Sequence, residues 1–163
     1  MKRLLGTMIG VGALLFFANL AQAQVTSIPP LLQGEKSYHH WTVAGVVNSG
    51  GIGTVVTCTN VNLVPVWIGV QVFDATGPAV NDPSATSVSV GPGGTVAFGT
   101  ASAAGFFFDS NLGIGGLPRG AARVLATARA GIICNAILAD FIGLPAGSMS
   151  SLIIAKKNVQ KGQ

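Results

Sequence analysis

The sequence predicts an all-β fold, a sandwich or small barrel of about seven to eight short strands behind a cleaved export signal. Three observations carry this. Val64, Val66, Ile68, Val70 and Val72 fall on every second position, which places five apolar side chains on one face of an extended strand. Glycine, proline, serine and asparagine gather in 48–53, 75–84, 110–120 and 143–148, the spacing of turns between short strands. After residue 23 no stretch of ten or more residues combines helix caps with an i, i+3, i+4, i+7 apolar stripe. Residues 121–130 have the best helix propensity, but they lack that stripe and are bracketed by Gly120 and Gly131.

In chain order, Met1, Lys2 and Arg3 give a basic start, 4–20 is mainly apolar, and Ala21-Gln22-Ala23 ends it with small residues two positions apart. These are the three parts of a secretory signal peptide, so 1–23 is expected to be removed and the mature chain to begin at Gln24. The apolar run is marginal for the ~20 residues of a membrane span, and no basic stop-transfer cluster follows it. Residues 24–37 read as a loose leader. Strands are expected at 41–47, 55–59, 64–72, around Val88 and Val90, around Val96 and Phe98, and at 121–128, 132–139 and 152–155. Between Val90 and Val96, Gly91-Pro92-Gly93-Gly94 is turn chemistry, since proline fixes φ and glycine admits the positive values. A polar tail at 157–163 leaves 38–156 as one domain.

Of the 163 residues, 49% are hydrophobic and only 9% charged. An average soluble domain carries roughly 25% charge, and a disordered or nucleic-acid-coating chain needs the opposite balance. Without the signal, Lys36, Arg119, Arg123, Arg129, Lys156, Lys157 and Lys161 face Glu35, Asp74, Asp82, Asp109 and Asp140, so the net charge falls from +4 to +2. That surface implies no nucleic-acid partner, and the C-terminal lysines read as a solvated tail.

Cys58 and Cys134 both fall on expected strands. Export to an oxidising compartment favours one disulfide between them, with two buried free thiols as the other outcome. A catalytic thiol would need a base and an electropositive setting, and the chain has no C-x-x-C pair.

A bridge from the second to the penultimate strand, with Trp67 on the strand after the first cysteine, resembles an immunoglobulin-like sandwich. The stretch 66–77, ending Phe73-Asp74-Ala75-Thr76-Gly77, followed by Val88-Ser89-Val90-Gly91-Pro92-Gly93-Gly94-Thr95-Val96, also resembles bacterial extracellular immunoglobulin-like modules. There an alternating strand ends in Phe/Tyr-Asp-x-x-Gly and a later one reads V-x-V-x-P-G-G-T-V. The resemblance covers 38–156 and implies a single immunoglobulin-like β-sandwich of about seven to eight strands. It also implies adhesion, assembly or ligand display, and supplies no catalytic residues. Trp67 departs from the antibody-type pattern, because it follows Cys58 too closely and alternation puts it opposite the valine face.

Motifs for chemistry are sparse. His39 and His40 are adjacent, so on a strand they point to opposite faces and cannot easily grip one metal. A blue-copper site needs a histidine near a late cysteine and methionine, and Cys134 and Met149 have none. Gly113-x-Gly115-Gly116 lacks the spacing of a dinucleotide fingerprint, and no Walker or G-x-S-x-G sequence occurs. The reading is therefore no catalytic set, no metal and no cofactor. Phe106, Phe107 and Phe108 stand before a glycine-rich loop; they form either a strand buried on both faces or an exposed partner-contact surface.

The function expected is that of an exported non-catalytic protein acting in binding, adhesion or envelope or surface assembly. Its site would be periplasmic, cell-surface or extracellular, its partner a protein or surface ligand, and it would have no integral span after signal cleavage. Two alternatives stay open. One is a small outer-membrane β-barrel; the other is an enzyme with a loop-built active site, which convergence of Asp109, Arg119 and His40 in one cleft would favour.

Overall fold

The computed structural model describes residues 27–31, 34–101, 108–142, 150–151 and 154–156. Its strands are β1 (Tyr38–Ser49), β2 (Ile52–Asn60), β3 (Val66–Asp74), β4 (Val88–Val90), β5 (Thr95–Gly99), β6 (Ser110–Asn111), β7 (Leu117–Ala126), β8 (Ile132–Asp140), β9 (Ser150–Ser151) and β10 (Ile154–Lys156). A one-turn helix, α1 (Pro83–Thr86), precedes β4. The fold is all-β, and the strands join into one hydrogen-bonded sheet that curls nearly into a barrel.

The β1–β2 hairpin makes the main bend. Its strands pair only beside the turn, at Asn48 with Gly53 and Ser49 with Ile52. Beyond that, β1 lies along β7, while β2 lies between β5 and β8. One wall thus runs β4-β3-β7-β1-β10 and the other β6-β5-β2-β8-β9. The valines and other side chains that alternate inward, among them Val43, Val56, Ile68, Val70, Phe98 and Val124, fill the space between the walls. On β1 the alternation resets, since Val43 and Val46 are both buried. A bulge with Gly45 at φ 77° supplies the extra residue, a backbone conformation that glycine adopts without a Cβ penalty. At the Tyr38 end of β1, Trp41 ties the walls together by donating its indole N–H to the Ile132 carbonyl at 3.1 Å.

Two expectations are corrected. Val64 does not open the third strand: β3 begins at Val66, and Val64 lies 61% exposed in the preceding loop. Pro65 stands between them and offers the ladder no N–H. The leader, expected to be loose, is docked where it is described. Leu31 is 1% exposed. It sits in a hollow over Gly69, where a Cβ would lie 2.8 Å from its Cδ2 and 3.2 Å from the Pro83 carbonyl. Ser37 donates to the Pro29 carbonyl at 2.6 Å and closes the leader on itself. The docking also explains why Gly69 and Gln71 of β3 are buried although they face away from the core. Leu31→Ala should therefore destabilise the protein by about 2–4 kcal/mol, the range for emptying a buried leucine site. An unchanged urea midpoint would mean that the leader contributes nothing to the fold.

Cys58 and Cys134 are bridged. They are direct partners on neighbouring strands β2 and β8, with Cα atoms 4.1 Å apart, close to the spacing of a non-hydrogen-bonded antiparallel pair. The bridge of an antibody-type sandwich instead spans two facing sheets. Here it staples one wall.

Candidate functional site

Of the three phenylalanines singled out in the sequence, Phe106 and Phe107 lie outside the described residues. Phe108 is half-buried on the outer face of β5. Its ring covers Gly99, where a Cβ would come within 2.7 Å of it, and meets Phe141 edge-on at 6.1 Å between centroids. Phe141 covers Gly53 in the same way. Phe108 is thus a packed side chain. Asp109 beside it accepts the Ala97 N–H at 2.7 Å, which fastens this segment to β5.

Asp109, Arg119 and His40 do not converge. Arg119 sits on β7 between Gly120, opposite Val46, and Leu117, opposite Asn48. His40 lies near the other end of β1, with Nε2 2.7 Å from the Ala128 carbonyl. At 3.3 Å per residue the two are about 20 Å apart along the strand. His39 Nε2 is 3.0 Å from the Trp41 carbonyl and 3.1 Å from Thr42 Oγ1. Among the described residues, no three His, Cys, Asp or Glu side chains stand together as a metal site.

Two features were not anticipated. The first is a cleft of about 530 Å³ on the outer face of β1, β7 and β3, lined by Ile28, His39, Thr42, Phe73, Asp74 and Arg123 among others. Arg123 is almost fully buried beside it. Its Nε donates to Gln71 Oε1 at 2.8 Å and its Nη2 to the Ser27 carbonyl, while the guanidinium stacks 5.3 Å from the Phe73 ring centroid. Burial lowers its pKa from the ordinary arginine value. Asp74 accepts from Thr76 Oγ1 and from the Thr76 and Gly77 amides, and these bonds hold its carboxyl below the usual range. Both charges therefore shape the cleft walls: Arg123 ties down the leader and Asp74 closes a turn. The cavity has the size of small-molecule sites. Its sequence signal was an arginine, Arg123, between the apolar pairs Ala121-Ala122 and Val124-Leu125.

The second is the β2–β3 loop, 61–65. Leu63 is 94% exposed, with Val61 and Val64 more than half exposed. Ile133, 60% exposed, lies at the same end of the sheet on β8, opposite Thr59. The loop is held from beneath. Buried Asn60 donates through Nδ2 to the carbonyls of Val64 (2.9 Å), Val90 (2.9 Å) and Gly91 (3.2 Å). Its Oδ1 accepts from the Asn62 backbone and side chain, both at 2.9 Å. Asn62 Nδ2 also reaches the Ala130 and Gly131 carbonyls, and the Val61 N–H donates to Gly131 at 2.9 Å. The backbone is thereby fixed to the two neighbouring turns while its aliphatic side chains face water. The sequence signal was the pair of asparagines before Pro65.

No family model, curated protein or solved structure matches the chain. Among the described residues, no helix is long and apolar enough to cross a membrane.

Proposed function

We propose that the protein is an exported, non-catalytic immunoglobulin-like module that binds at a surface, in adhesion or envelope assembly, through the end of the sheet carrying loop 61–65. The observation that carries this reading is Leu63, held in water at 94% exposure on a backbone fixed by Asn60 and Asn62. Scattered apolar residues are normal on a surface, but a cluster on one fixed loop marks a contact. A fixed loop also loses little freedom on binding, so more of the burial energy appears as affinity. The disulfide supports export, because such bridges persist in oxidising compartments. The two walls of the curled sheet are compatible with a sandwich, in keeping with the resemblance in residues 66–96. An apolar interior weighs against a transmembrane barrel, whose interior is polar and whose apolar band faces lipid. The separation of His40 from Arg119 weighs against the loop-built enzyme.

Burying one leucine is worth about 1.5–3 kcal/mol, so Leu63→Ser should weaken retention of the purified protein on native envelope fractions about tenfold or more. Its melting temperature should stay within about 2 °C of the parent, because the side chain makes no core contact. Equal retention of parent and variant would end this reading.

A further inference from the structure

We infer that the surface met by the loop end is an anionic lipid bilayer, a deduction that rests on the binding reading above. The first argument is how charge is sorted along the sheet. At the loop end, Lys36 and Arg129 flank the Tyr38 ring, 5.7 and 5.2 Å from its centroid. Arg129 also donates to the Tyr38 hydroxyl at 3.3 Å and holds the phenol below its ordinary pKa. The backbone of β10 runs antiparallel to β1, with Lys156 in register with Trp41. Acids lie elsewhere. Asp74, opposite Gly120, and Asp140, opposite Ile52, occupy the far end together with Arg119, while Asp109 lies along the side against Ala97 and Asp82 caps α1 beside the middle of β3. Glu35 is the exception, since it adjoins Lys36 in the chain.

The second argument is shape and chemistry. Val61, Leu63 and Val64 project as aliphatic side chains from a connecting loop at the sheet's end. A protein partner would need a matching pocket for them, whereas acyl chains conform to any projecting aliphatic group. An apolar insertion flanked by basic side chains, with a tyrosine between them, is the arrangement that interfacial proteins use on anionic membranes. Basic residues draw the protein to the surface, and the aliphatic loop then enters the headgroup boundary.

The test is cosedimentation of the chain from Gln24 to Gln163 with phosphatidylcholine vesicles, with and without phosphatidylglycerol, at low and high salt. Binding is expected only with the anionic lipid and should fall as salt screens it. Val64→Asp and the pair Lys36→Glu with Arg129→Glu should each weaken it about tenfold or more, with unfolding midpoints measured alongside to show that each variant is folded. Equal binding to neutral vesicles, or none to either, overturns the lipid assignment. If vesicles are ignored while Leu63→Ser still loses envelope retention, or Leu63 mediates self-association in sedimentation velocity, lipid is wrong and the binding reading stands. If Leu63→Ser also leaves envelope retention unchanged, both fall.

Discussion

Asn60→Ala is expected to lower the stability of the folded protein by about 3–5 kcal/mol, far more than a surface asparagine would. The side chain is wholly buried at the end of β2 and serves three carbonyls, those of Val64, Val90 and Gly91, while its oxygen receives both nitrogens of Asn62. The Asn60 main chain is used as well, accepting from Gly93 and donating to Gly94. One residue therefore joins the β2–β3 loop to the turn between β4 and β5. Alanine keeps the strand but leaves buried carbonyls without donors, and an unmade buried bond costs more than a made one gains. Asn60→Asp should lie close to alanine, since it retains the acceptor and loses the donors. Urea unfolding of the three proteins decides this. A loss below about 1 kcal/mol for alanine would mean that water replaces the amide and that the loop is not held as described.

The strands that face the core were legible because burial on one side imposes a period of two. Val66 to Val72, and Val88, Val90, Val96 and Phe98 around their glycine turn, show it. The same rule misassigned Val64, because periodicity counts side chains and ignores that Pro65 cannot donate to a ladder. Leu31 was illegible for another reason. Its burial depends on the absence of a side chain at Gly69 and on the position of Pro83, residues remote in sequence. Arg123 was passed over because its partners, Gln71 and the Ser27 carbonyl, come from a neighbouring strand and from the leader. The cysteine pairing could be inferred from export alone, but which strands are neighbours could not. An antibody-type sandwich carries such a bridge between layers, whereas the register here puts it within one wall.

That placement sets the terms of the remaining prediction: Cys134→Ser should destabilise the protein by about 2–5 kcal/mol, the range for losing a native bridge in a small secreted domain. The stabilisation does not come from aligning β2 with β8, because the ladder from Ile52 opposite Asp140 to Asn60 opposite Ile132 already fixes that register. It comes from the unfolded chain, where a link across 76 residues removes about 4 kcal/mol of conformational freedom. Cys134 is the position to change. It is only half-buried, so a serine hydroxyl there reaches water, whereas Cys58 is fully enclosed and a hydroxyl in its place would add a desolvation penalty of its own. Reductant should carry the parent protein to the variant's urea midpoint and leave the variant where it is. If reductant leaves the parent midpoint unchanged, the bridge contributes nothing to stability; if the variant shifts with reductant as the parent does, the effect lies outside the Cys58–Cys134 bond.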